Sequence, residues 1–309
     1  MSIGAALYPS DGTEMAALLR NADAALYRAK AEGGGAVRFF EADMDRVLHD
    51  RRALQADLAL SVSRNELQLY YQPQARVNGQ IIGFEALLRW DHLTRGFVPP
   101  DTFIPLAEES GLIDQIGEWV LREACREAAT WRKPLQIAIN LSPVQFRHQD
   151  FVPLVHAVLL ETGLAPNRLV VEITEGALMD DYSRAISILR RLKALGIRIA
   201  MDDFGTGYSS LSYLQSFPFD KIKIDQTFIA NLERNTQSGA IVRSVLGLGR
   251  SLNLTTVAEG VETQTQLAIL QSEGCDEMQG YLIGRPQPIS DYAEITGRPM
   301  RERRAVANG

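Results

Sequence analysis

The chain has 309 residues, 46% of them apolar and 23% charged, with a formal net charge of −6. Those proportions belong to a soluble globular protein with room for one large α/β barrel, or a barrel plus a small appendage. The acidity and the lack of a long basic stripe argue against coating a nucleic-acid polymer, though not against a small anionic ligand met through bound cations.

Cys125 and Cys275 stand far apart without metal-ligand spacing. Neither a disulfide framework nor a structural zinc site is expected, and a reducing compartment is the simple reading. No apolar run reaches the ~18 residues needed to cross a bilayer. The start, MSIGAALYPSDG, lacks the basic and apolar regions of a signal peptide. A cytoplasmic location is expected, with any membrane tie supplied only by sequence upstream of this piece.

In chain order, residues 1 to about 40 read strand, helix, strand: SIGAALYP, then EMAALLRNADAALYRAKAEG, then AVRFF. Leu18, Leu19, Ala22, Ala25, Leu26 and Ala29 fall on one helical face, and Gly33-Gly34-Gly35 stops the helix. Two strands and a helix are too little for a core of their own. A charged amphipathic stretch over 42–64, with Val47, Leu54, Leu58 and Leu60 as its apolar residues, reads as a connecting helix, with the second domain expected over 54–290 and the connection proper over 42–53.

From residue 66 strands alternate with helices. The strand candidates are LQLYYQP, IIGFEALLR, LQIAINLS, RLVVEITE, IRIAMDDF, DKIKIDQ, LTTVAEG and EMQGYLI. The first two are separated by a short turn containing Asn78-Gly79 and should run antiparallel. Helical stretches such as SRAISILRRLKALG separate the later ones and imply parallel strands. The expected fold is α/β, a TIM-like (β/α)8 barrel whose first strand is reversed. After Pro288 the pattern fades, and 291–309 reads as a disordered tail.

Period-two alternation assigns the faces. Ile137, Ile139 and Leu141 oppose Asn140; Leu169, Val171 and Ile173 oppose Glu172; Ile197, Ile199 and Met201 oppose Asp202; Ile222 and Ile224 oppose Lys223. With Glu85, Glu259 and Gln279, these polar residues close or nearly close their strands, where a barrel gathers its active site. Glu85, Asn140, Glu172 and Asp202 supply oxygen ligands for one divalent ion, and Mg²⁺ or Mn²⁺ suits them. Asp203, next to Asp202, and Glu259 could hold a second.

Lys223 is the ammonium among the acids, placed to orient attacking water or neutralise charge on phosphate oxygens. Each of these residues alone has a plainer reading, as a helix cap, an ion pair or a solvated strand end; adjacent aspartates are the harder feature to explain without a cation. Gly205 and Gly207 permit a tight mobile loop after the acids, which Glu175 could hold through Thr206 or Ser209-Ser210.

At these residues the chain closely resembles the EAL-domain family of cyclic di-GMP phosphodiesterases. The likeness runs from about Leu54 to Ile289 through FEALLRW, FIPLAEESGLIDQIGEWVL, NLSPVQF, EITE, DDFGTGYSSL, KIDQTFI, AEGVET and QGYLIGRP. It implies metal-dependent hydrolysis of cyclic di-GMP to linear pGpG, using two ions, Mg²⁺ or Mn²⁺. It also implies Glu85, Asn140, Glu172, Asp202 and Asp203 as ligands, with Glu259 serving the second metal and Lys223 the water. Gln72, Arg89 and Gln279 look like substrate contacts, Arg89 suiting a phosphate or guanine edge by its planar fork, and Glu175 would look after the 202–210 loop. Ca²⁺, looser in its coordination, should inhibit.

A non-catalytic cyclic di-GMP receptor is the alternative, although no position that the chemistry needs departs from the family pattern. The resemblance further implies a homodimer through the 202–210 loop and the following helix. Leu211, Tyr213, Leu214, Phe217 and Phe219 fit either such a contact or the barrel's own packing. Residues 1–41 look like the last part of a GGDEF domain, without its signature, so no cyclase activity is expected.

Overall fold

The computed structural model describes all residues except 32, 147–150, 179–181, 206–213, 215 and 298–309. Two compact units divide it, Met1–Arg64 and Asn65–Gly309.

In the first unit, strands β1 (Ile3–Ala5) and β2 (Val37–Phe39) pair in parallel, with helix α1 (Met15–Ala31) as the crossover between them. Gly4 lets the strand press against the helix, since a Cβ there would fall 2.1 Å from the Ala22 carbonyl oxygen. Ala24, Ala25 and Met44 form a small core with Phe40 and Leu48. Leu19, expected on the buried face of α1, is exposed, and Ala24 is buried instead. Helix α2 runs unbroken over Ala42–Ser61, within the amphipathic stretch read over 42–64 and across residue 53, after which the second domain was expected to begin. ALQADLAL offers no glycine or proline to stop it there.

The second unit is a closed barrel. Its strands are β3 (Leu67–Arg76), β4 (Ile81–His92), β6 (Gln136–Leu141), β7 (Leu169–Thr174), β8 (Arg198–Phe204), β9 (Lys221–Ile224), β10 (Thr255–Ala258) and β11 (Glu277–Gln279). β3 is antiparallel to both β4 and β11, closing the ring, while the remaining neighbours are parallel. The reversed first strand and its turn agree with the sequence: Gly79 adopts φ 89° and Arg76 N–H donates to the Gln80 carbonyl at 2.9 Å. A short extra strand, β5 (Gly96–Val98), folds back on the end of β4.

The main crossover helices are α3 (Pro100–Ser110), α4 (Leu112–Ala129), α6 (Phe151–Thr162), α7 (Tyr182–Ala194), α9 (Thr236–Leu252) and α10 (Gln264–Glu273), with single turns α5 (Pro143–Phe146) and α8 (Gln226–Ala230). Their ends follow local chemistry. Asn235 caps α9, Thr263 and Gln266 form a reciprocal capping box on α10, and Asn253 and Gly274 close those helices in the left-handed region.

The apolar strand face packs under these helices: Ile137, Ile139, Leu141, Leu169, Val171, Ile173, Ile197, Ile199, Met201, Ile222 and Ile224 belong to one core. Leu214, Phe217 and Phe219 are buried in the same core, so of the two readings left open for them barrel packing holds; Leu211 and Tyr213 lie outside the described residues. The first part of the expected tail also packs. Residues Ile289–Tyr292 and α11 (Ala293–Thr296) form short helical turns, and the Thr296 carbonyl accepts the N–H groups of Arg132 and Lys133. A four-residue turn is too short to show periodicity, which is why it escaped detection.

The inner face of the barrel is layered by register. Ala138, Val170 and Ala200 form a small apolar cluster, and Lys221 pairs with Glu277 at 2.5 Å. One step towards the carboxyl ends of the parallel strands, the same alternation puts Asn140, Glu172, Asp202, Lys223 and Gln279 inside.

Candidate active site

Lys223 is the hub of that layer. Its ammonium lies 2.6 Å from Glu172, 2.7 Å from Glu259, 3.0 Å from Asp202 and 4.0 Å from Glu85. Lys223 and Glu172 are each only 2% exposed in their side chains. Burial opposes the charge on Lys223, but the four carboxylates outweigh it and hold the ammonium well above its usual range. The acids move the other way. Burial pushes Glu172 well above the ordinary carboxylate value, with Glu85 and Asp202 adding to it and Lys223 opposing. Glu259, just past β10, is pushed up to about 8 by burial, with Asp202 and Glu85 contributing and Lys223 again opposing.

Asp202 and Asp203 occupy a β-bulge. The β8–β9 register shifts between Met201 and Phe204, and Asp203 takes φ 54°. Strict alternation would turn Asp203 away from Asp202; the bulge brings both carboxylates, with Glu259, to ligand atoms within 4.8 Å of one another. Aspartate is among the few non-glycine residues that tolerate this backbone. Burial, followed by the charges of Asp202 and Asp225, raises the Asp203 carboxyl.

Glu85, on β4, accepts from the Asn140 amide at 2.6 Å and from the Gln279 amide. Gln279 also donates to Gln72 at 3.0 Å, and Gln72 to the Gly284 carbonyl at 3.3 Å. These residues line a cleft of about 520 Å³, together with Arg89, Asp101, Gln226, Glu262 and Tyr281. The Arg89 guanidinium sits 5.6 Å from the centre of the Tyr70 ring and donates to the Leu88 carbonyl at 2.8 Å.

The expected substrate contacts and the expected ligands Glu85, Asn140, Asp202 and Glu259 thus line one cleft; Glu172 reaches it through Lys223, and Asp203 lies beside Asp202 and Glu259. Glu175 does not line that cleft. It is buried at the start of a 3-10 turn after β7, and its expected partners Thr206, Ser209 and Ser210 lie outside the described residues. Sequence reasoning missed Gln74, Asp101, Gln226, Glu262 and Tyr281. Two of these had a signal available: Gln74 repeats Gln72 at strand spacing, and Glu262 follows Glu259 by three residues.

The donor set is one of hard oxygen atoms, and its acids are too crowded to ionise together without compensation. Those two properties fit a divalent cation. Asp202, Asp203 and Glu259 form the tight cluster that could hold one, while Glu172 and Glu85 face Lys223 and Asn140 donates to Glu85.

A model of the EAL domain matches residues 51–286. The chain belongs to the EAL domain family. Over 93% of its length it is 59% identical to an uncharacterized signaling protein of Caulobacter vibrioides, of which the match covers 36%. It is 47% identical over 93% of its length to the bifunctional diguanylate cyclase/cyclic di-GMP phosphodiesterase MucR of Pseudomonas aeruginosa, of which 43% is covered. The chain therefore spans less than half the length of these relatives. The solved structure of the PaMucR phosphodiesterase in complex with c-di-GMP superposes with a TM-score of 0.75 at 46% identity, over 78% of this chain and 99% of that one.

One glycine in the EAL domain ties the cleft wall to the barrel. A Cβ on Gly280, next to Gln279, would fall 2.2 Å from both the N and the O of Val261. Neither backbone atom can yield cheaply, because Val261 N–H donates to the Gln279 carbonyl at 3.0 Å. Gly280→Ala is expected to cost about 2–3 kcal/mol by overpacking, read as a lower urea midpoint at unchanged slope.

Proposed function

We propose that this EAL domain hydrolyses cyclic di-GMP to linear pGpG in bacterial second-messenger signalling, with Mg²⁺ or Mn²⁺ as the metal and two ions per site. The observation that carries the reading is the convergence of Glu85, Glu172, Asp202, Asp203 and Glu259 about Lys223, in a cleft whose wall presents Gln72, Arg89 and Gln279. The names of the MucR relative and of the c-di-GMP complex support the choice of substrate.

Glu85, Asn140, Glu172, Asp202, Asp203 and Glu259 would hold the cations. Held by these residues, a divalent cation would supply Lewis-acid polarisation of the phosphodiester and a better water nucleophile near neutral pH. Lys223 then orients the water and offsets charge gathering on the phosphate oxygens, while Arg89, Gln72 and Gln279 seat the dinucleotide. Water oxygen bonds to phosphorus as the bridging P–O bond breaks. The water's proton passes to the site and the departing oxygen gains one, leaving a phosphate on one nucleotide and a hydroxyl on the other.

Glu175 is proposed to steady the segment after Asp203, and two chains to pair as a homodimer. Residues 1–41 are proposed as the remnant of a GGDEF domain. In support, β1 and β2 form a parallel pair whose Ile3, Val37 and Phe39 are exposed, and parallel sheets are normally covered on both faces. A cytoplasmic location fits the two buried cysteines, neither in a disulfide. No described helix is long and apolar enough to cross a membrane.

Incubation of the purified chain with cyclic di-GMP should yield pGpG with Mn²⁺ and none after chelation, followed by chromatography. Binding of the dinucleotide with no pGpG at any metal concentration would support the receptor reading instead.

A further inference from the structure

We infer that Gln74 is a positioning residue that sets which way the Gln279 amide faces and braces the Glu172 carboxylate. This rests on the metal-dependent reading of the same cleft. Gln74 is 4% exposed on β3 and shares its face with Gln72, one step deeper into the barrel. Its register partner on β11 is Gln279. The Gln74 amide nitrogen donates to Gln279 Oε1 at 2.9 Å and to Glu172 Oε1 at 3.4 Å. Gln279 in turn gives its own amide nitrogen to Gln72 and Glu85. One side chain thus connects two acids on strands separated by β6, Glu172 on β7 and, through Gln279, Glu85 on β4.

The direction of these bonds is what matters. A primary amide can turn over with little change of shape, exchanging donor for acceptor. The N–H of Gln74 on Gln279 Oε1 removes that freedom, because a turned Gln279 would set nitrogen against nitrogen. It would also set carbonyl oxygen against the Glu85 carboxylate. With the donor in place, Gln279 must present N–H groups to Glu85, and Glu172 keeps one oxygen tied while the other faces Lys223. A packing residue at this position would need only the right length.

Gln74→Met keeps length and volume but removes the donor. Partners at this remove typically change metal affinity or turnover 10- to 100-fold, and Q74M is expected to weaken Mn²⁺ binding by about that factor in calorimetry. kcat should fall by a similar factor while KM for cyclic di-GMP moves less than about threefold. Gln74→Glu should do worse than Q74M, since a carboxylate would face Gln279 Oε1 and Glu172 with like polarity. Gln74→Lys, which still donates, should recover part of the loss. Each variant is checked for a cooperative thermal melt, and Gln74→Leu, which also lacks a donor, replaces Q74M if that one fails. Mn²⁺ affinity and kcat within twofold of wild type in Q74M, with only the melting temperature shifted, would overturn the inference and leave the proposed function standing. A wild-type chain that binds no Mn²⁺ would remove both.

Discussion

Glu85→Ala should lower kcat at least about a hundredfold, the scale seen when one preorganised electrostatic group is lost, equivalent to about 2.7 kcal/mol of barrier. Glu85 is buried, accepts from the amides of Asn140 and Gln279, and lies 4.0 Å from the Lys223 ammonium. Removing it takes one negative charge from the ring proposed to hold the cations. It also strands one N–H of the buried Gln279 amide, at a cost of about 1–3 kcal/mol in stability, whereas the exposed Asn140 amide can turn to water. Glu85→Gln separates the two effects: the isosteric amide can still accept from one neighbour, so it should melt closer to wild type than Glu85→Ala while losing comparable activity. Steady-state kinetics with saturating Mn²⁺, beside thermal melts of the metal-free chains, read both. Wild-type turnover by Glu85→Ala would mean that the chemistry lies elsewhere.

Much of this site could be read from residue order because barrel geometry turns local patterns into global position. A strand that alternates apolar and polar residues declares its inner face, and parallel neighbours bring successive inner faces to one level. Asn140, Glu172, Asp202 and Lys223 were accessible in that way, each lying opposite branched apolar residues on a short strand. The reversed β3 was accessible for a different reason: its connection to β4 is too short for a crossover and carries Asn78-Gly79.

What escaped depends on contacts between distant segments. Nothing local to MDDFG announces that two residues after Met201 leave the register and that Asp203 adopts a positive φ; that follows from how β8 meets β9. Nor does KIKID reveal that one ammonium would touch three carboxylates from three other strands or strand ends. Gln74 went unnoticed, because its importance lies in Gln279, more than 200 residues away. The turn α11 was misjudged, because a single turn carries no periodicity and is held from a distance by Arg132 and Lys133.

Lys223→Met is the substitution that separates the electrostatic role of the hub from simple space filling. Methionine fills nearly the same volume, so the packed barrel floor stays filled, but the cation facing Glu172, Glu259, Asp202 and Glu85 is gone. Turnover should fall at least about a hundredfold. Removing one partner of a buried ion pair commonly costs about 3–5 kcal/mol, and here that cost should depend on pH in a defined sense. In the metal-free wild type, Glu172 and Glu259 already hold protons in the folded state at pH values where the unfolded chain has lost them. The folded form then binds more protons, so stability from these groups is complete below the ordinary value of 4.5 and declines as pH rises towards about 8, the folded value of Glu259.

Without Lys223 the carboxyls are pushed higher still, since the one contribution that lowered them has been removed. The decline should therefore be steeper and continue above pH 8, and the gap to wild type should close as pH falls towards 4.5. Mn²⁺ should restore part of the variant's stability at pH 8 by supplying the missing positive charge, and so raise its melting temperature more than that of the wild type. Thermal melts across this range, with chelator and with Mn²⁺, test each part. Equal pH profiles for variant and wild type in chelator would show that the ammonium does not compensate these acids.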